Sequence, residues 1–93
     1  MRTSGARAVV VLGQLGEFEA ARASQQRALT IKEAVYGPEH PEVAMTLGNL
    51  ANVREDLGEL EAARSCIGRA VGIFERRLGP DHPTTKQARA HFE

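Results

Sequence analysis

Three histidines and one cysteine are the residues whose chemistry would be most specific if their spacing supported it. His40, His82 and His91 could ligate a metal or move a proton, and Cys66 could act as a nucleophile. The spacing argues against both roles. His40 and His82 are 42 residues apart (82 minus 40), in the two copies of one motif, Gly37-Pro38-Glu39-His40-Pro41 and Gly79-Pro80-Asp81-His82-Pro83. Each copy reads as a helix stop followed at once by a helix start, because glycine supplies a left-handed C-cap and the second proline suits a first helical turn. The two imidazoles therefore belong to separate corners. His91 has no neighbour at ligand spacing, and Cys66 falls on a helix face, where a small buried thiol is the expected state. No metal and no cofactor are expected.

The acidic residues give no catalytic pair. Glu17 and Glu19, and again Glu59 and Glu61, follow a turn glycine, where first-turn acids favour a helix N-terminus. Glu19 with Arg22 and Glu61 with Arg64 are three apart and able to pair along a helix. Gly13 and Gly16 lack the lysine and the spacing of a phosphate loop. With 4% aromatic residues there is no platform on which bases could stack. No enzyme site is expected. What remains is a polar strip: Met45, Asn49, Asn52 and Asp56, at steps of four, three and four, lie on the side of a helix away from Leu47 and Leu50. A solvated helix face is the plain alternative reading of that strip.

The elements that carry these residues follow from period and composition. Ninety-three residues make one small domain, 1–93, whose stability has to come from regular helix packing. Twelve basic and twelve acidic side chains give a formal net charge of zero, and hence no general attraction to nucleic acid or to an anionic membrane. A single cysteine cannot form an internal disulfide, which points to a reducing, cytoplasmic setting. The apolar run from Ala8 to Leu12 is too short for a signal core or a membrane span.

Sliding the chain by 42 residues aligns Leu15 with Leu57 and continues to Ala51 with Glu93. Of those 37 pairs 15 are identical, where about two or three would match by chance, so the repeat is real. Leu60, Ala63, Ile67, Ala70, Phe74 and Leu78 form a continuous stripe at helical spacing, flanked by Ala62, Cys66 and Ile73. Val43, Leu47, Leu50, Ala51 and Leu57 do the same one segment earlier. Glycines 16 and 58 stand where the chain must reverse. Five helices are expected: a short one ending near Leu15, then Glu17 to Tyr36, Pro41 to Leu57, Glu59 to Leu78, and a stub from Pro83. The small residues Ala21, Ala63 and Ala70 are expected where helices approach closely.

Leu47-Gly48-Asn49-Leu50-Ala51 in one helix, a glycine at the turn and Glu-Ala-Ala-Arg in the next resemble tetratricopeptide repeats. The 42-residue period and the Gly-Pro-x-His-Pro corner are similar to the kinesin-light-chain type of that repeat. The resemblance implies an all-α fold of antiparallel helix hairpins stacked as a right-handed solenoid, with units at about 1–40 and 41–82 and a partial helix 83–93, both terminal helices being incomplete. It implies a non-catalytic protein or peptide interaction module that holds an extended segment in its concave groove. The alternative is a structural or oligomerisation fragment of a longer repeat array, such as the repeat region of a signalling regulator. In the resembled family an asparagine at the place of Asn49 binds peptide backbone. Its aligned positions here are Arg7 and His91, so the implied groove is Arg7, Met45, Asn49, Asn52, Asp56 and His91. Self-association through the solenoid ends is expected, since Val9 to Leu12 offer an apolar row, as is fraying over Met1 to Ala6.

Overall fold

The computed structural model describes the backbone of residues 2–92 and the side chains of residues 13–92. Four helices follow one another: α1 (Arg2–Tyr36), α2 (Pro41–Asp56), α3 (Leu60–Arg77) and α4 (Pro83–Phe92). No strand occurs among the described residues, and the architecture is an all-α helical repeat. Sequential neighbours pack on one another, most extensively α2 on α3.

The corners form as their chemistry requires. Gly37 and Gly79 adopt φ of 88° and 94°, a conformation that a Cβ would resist. Pro41 and Pro83 open the helices that follow. The histidine of each corner is the helix N-cap: His40 Nδ1 accepts from the Glu42 amide at 3.0 Å, and His82 Nδ1 accepts from the Thr84 amide at 3.1 Å. An imidazole thus does the work usually given to Ser, Thr, Asp or Asn. The Tyr36 ring stacks on His40 with centroids 4.6 Å apart, which holds the first cap in place. Between α2 and α3 the turn is a Schellman motif, with Gly58 at φ 79°. The Glu59 amide donates to the Arg54 carbonyl at 2.7 Å, and the Gly58 amide to the Glu55 carbonyl at 3.0 Å.

The fifth expected helix is missing, because Gly16 makes no turn. Backbone from Arg2 to Tyr36 is one helix of 35 residues. At about 1.5 Å per residue its length accounts for the 54 Å long dimension of the molecule. Register explains the difference from Gly58. A hairpin needs an apolar face to lay down, and Leu47 and Leu50 supply it in α2; 42 residues earlier the same places hold Gly5 and Ala8. With so little apolar surface to bury, continued helical hydrogen bonding wins, even though mid-helix glycines cost about 0.5–1 kcal/mol each. Glu17 and Glu19 consequently sit within α1 and meet no helix N-terminus.

Among the described residues the fully buried core is supplied by α2, α3 and α4. Val43, Ala44 and Leu47 of α2 pack with Ala70, Ile73 and Phe74 of α3, and Leu29 of α1 and Ala88 of α4 close this cluster. Ala51, Ala63, Ile67 and Val71 form the adjoining cluster. Ala63 and Ala70 are buried at the close helix approach expected of them, whereas Ala21 is only half-buried. Among the described residues no side chain of α1 is fully buried. Ile31 is 55% exposed while its repeat counterpart Ile73 is 0% exposed.

In α4 the fully buried Thr85 occupies the place of Val43, 42 residues on. Its hydroxyl has no hydrogen-bond partner among the described residues. Because an unsatisfied buried hydroxyl costs about 1–3 kcal/mol, Thr85→Val is expected to stabilise the fold by about 1 kcal/mol. A urea midpoint unchanged or lowered by this substitution would contradict that account.

Ion pairs tie the layers together. Arg22 reaches Glu59, Arg69 holds Glu33 at 2.6 Å, and Arg76 holds Glu39 at 2.5 Å. Arg89 pairs with Glu75. The expected pairs of Glu19 with Arg22 and Glu61 with Arg64 do not form. Arg22 is taken by a partner across the helix layer, and Arg64 lies over the Phe92 ring at 4.7 Å from its centroid. A one-turn helical pair is worth only a few tenths of a kcal/mol, too little to compete. The observed pairs are half-exposed, so each contributes at most about 1 kcal/mol.

Candidate functional site

α2 is amphipathic in a way that splits its duties. Val43, Ala44, Leu47, Leu50 and Ala51 are buried, and Met45, Asn49, Asn52 and Asp56 are all exposed on the other side. The polar strip exists as a continuous row, with Met45 54% exposed. Neither asparagine side chain is held by a described hydrogen-bond partner, so each amide can both donate and accept. His91 is exposed too, but its Nε2 is 2.7 Å from Glu55 Oε1, which fastens α4 to the end of α2 beside Asp56. The side chain of Arg7 lies outside the described residues; of the stretch Met1 to Ala6 expected to fray, Met1 lies outside them and the backbone from Arg2 is helical.

Two concavities flank the α2–α3 hairpin, and sequence reasoning found neither. One, of about 290 Å³, is lined by Glu55, Leu60, Arg64, Ile67, His91 and Phe92. The other, of about 520 Å³, lies among α1, α2 and α3, with the half-buried Leu29 on its lining, the buried Leu47 and Leu50 beneath it, and Arg54 and Arg69 on its walls. Of the six groove residues expected from sequence, His91 lines the smaller concavity; Met45, Asn49, Asn52 and Asp56 line neither. A signal for the larger one was present in the small Ala62, Ser65 and Cys66 on one side of α3, which leave room between helices.

Cys66 is half-buried against the larger concavity. Burial pushes its thiol up, and the nearby charges of Arg54 and Arg69 offset this only in part. The thiol is thus protonated at neutral pH, a poor state for a nucleophile. His40 and His82 spend Nδ1 on caps. Among the described residues no group of three His, Cys, Asp or Glu side chains is placed to hold a metal. Among the described residues no helix is long and apolar enough to cross a membrane.

Helices paired through glycine turns, spaced by a repeated corner and sharing one apolar seam, define an α-helical repeat protein. The family model for the tetratricopeptide repeat matches residues 6–76, and the chain belongs to that family. Such repeats are generally non-catalytic modules through which proteins interact. No individual curated protein matches the chain.

Proposed function

We propose that this domain, residues 1–93 with repeat units near 1–40 and 41–82 and a partial helix from 83, is a cytoplasmic, non-catalytic scaffold of the kinesin-light-chain-like kind. Its ligand is an extended segment of a partner protein laid along the exposed strip of α2. The observation that carries this reading is the strip itself: Met45, Asn49, Asn52 and Asp56 stand in one exposed row on a helix whose other side is fully committed to the core. Each amide can pair with both groups of a passing peptide unit. His91 extends the strip in the repeat register, whereas Arg7, which holds the same register in the sequence, would join it only if the chain reversed at Gly16, and α1 runs on without that reversal. Nucleic acid and membranes are not its partners on this reading, given the balanced charge of twelve against twelve.

The test is capture from a peptide library followed by calorimetric titration. Asn49→Ala is expected to weaken a captured peptide by about 0.5–1.5 kcal/mol per hydrogen bond lost, with an unchanged melting temperature because the side chain is exposed. Unchanged affinity in Asn49→Ala would refute the groove.

A second reading has its own observation. Ile31 is exposed where its counterpart Ile73 is buried, so the face of α1 that a folded-back first helix would cover is open. On this reading the chain is a structural or oligomerisation element of a longer repeat array, and its mass in sedimentation rises with concentration.

A further inference from the structure

We propose that the outward face of α1 is a dimer interface, covered by α1 of a second copy of this chain running antiparallel to it. This pairing rests on the second reading above, that the chain is an oligomerisation element, and adds which surface is used, what covers it and in what register.

One side of α1 is spent on the rest of the molecule, with Leu29 packed against the core and Lys32 bonded to Glu42 of α2 at 3.4 Å. At about 3.6 residues per turn, Gly13, Gly16, Arg27, Ile31 and Val35 share the opposite side, and all five are exposed. Ile31 is 55% and Val35 68% exposed, so this face carries bulky apolar groups that nothing covers among the described residues. Bulk is unevenly placed along it. The large side chains stand near the C-terminal end of α1 and the glycines well before them, so the face complements itself when a second α1 runs the other way. Ile31 of each copy then sits over Gly16 of the other, and Val35 beside Gly13. No atom lies within 4 Å of the place a Cβ would take at either glycine, so both hollows are open. Charge selects the same register. It sets Arg27 of each copy beside Glu19 of the other; both residues are exposed, and neither forms an ion pair among the described residues. A parallel pair would instead set Arg27 against Arg27, Glu19 against Glu19 and Ile31 against Ile31, with the glycines facing a void. Because both copies offer the same patch, the contact closes at two.

Sedimentation equilibrium of the intact chain is the test. The mass is expected to pass from one copy to two between about 1 μM and 1 mM, the chain being a monomer below that range, and to rise no further. Gly16→Leu adds apolar surface but fills the hollow that receives Ile31, so it is expected to weaken dimerisation by about ten-fold or more. Unspecific apolar sticking would be strengthened by the same change. Arg27→Glu should weaken the dimer by about three- to ten-fold, and adding Glu19→Arg to it should restore parental affinity to within about two-fold, because the exchange rebuilds the pair with its signs reversed. Circular dichroism of each variant confirms that it is folded. A mass that climbs past two copies would leave the oligomerisation reading standing and overturn the α1 pairing. Dimerisation of Gly16→Leu as tight as the parent, or failure of the charge exchange to rescue Arg27→Glu, would overturn the pairing in the same way. A monomer mass held up to about 1 mM would overturn both.

Discussion

Replacing Ile73 by alanine is expected to destabilise the protein by about 2–5 kcal/mol, whereas the same change at Ile31, one repeat earlier, should cost about 0.5 kcal/mol or less. The two positions are equivalent in the repeat: each follows Arg-Ala by three residues and precedes Glu by two. They differ in what covers them. Ile73 is 0% exposed, packed among Val43, Ala44, Leu47 and Ala70, so truncation leaves a cavity that rigid helices cannot close. Ile31 is 55% exposed and loses little that water does not already share. Urea denaturation of both variants measures the difference. Similar midpoints would mean that the first repeat is as closed as the second, contrary to the single long α1.

Glycine substitutions at the two equivalent turn positions should act in opposite directions. Gly58→Ala is expected to destabilise by about 1–2 kcal/mol, because Gly58 has φ 79° and an alanine there strains against its own carbonyl. No neighbouring atom lies within 4 Å of the site a Cβ would take, so the penalty is conformational and not steric crowding by another element. Gly16→Ala is expected to stabilise by about 0.5–1 kcal/mol, since Gly16 is inside the helix α1 and is likewise open around its Cβ position. Thermal melts of the two variants decide the matter. A loss at Gly16 comparable to that at Gly58 would show that the chain turns there after all.

These effects bear on function through the same geometry. The strip on α2 is presented by a helix locked from behind by Val43, Leu47 and Leu50, so substitutions on the strip should register in binding and leave folding alone. The larger concavity depends instead on how α1 is held against the hairpin. Leu29 is its apolar anchor there, and Arg22, Lys32 and Glu33 supply ion pairs to Glu59, Glu42 and Arg69.

Much of the molecule is written locally. The corners at Gly37 and Gly79, the turn at Gly58, the faces of α2 and α3 and the exposed row Met45, Asn49, Asn52 and Asp56 follow from capping chemistry and helical period, which act within a few residues. Even the two histidines were legible as corner residues, though not as caps, because imidazole is an uncommon acceptor at that position. Three matters were decided only by tertiary structure. Gly16 has the same flanking residues as Gly58, yet only Gly58 turns. Glycine permits a reversal, but the reversal persists only if the helices on either side have apolar surface to bury against each other. Arg22 chose Glu59 over Glu19 because partners from other helices compete with those one turn away. The concavity bearing Arg54 and Arg69 arises where three helices separated in sequence fail to close on small side chains, a volume that no single segment encodes.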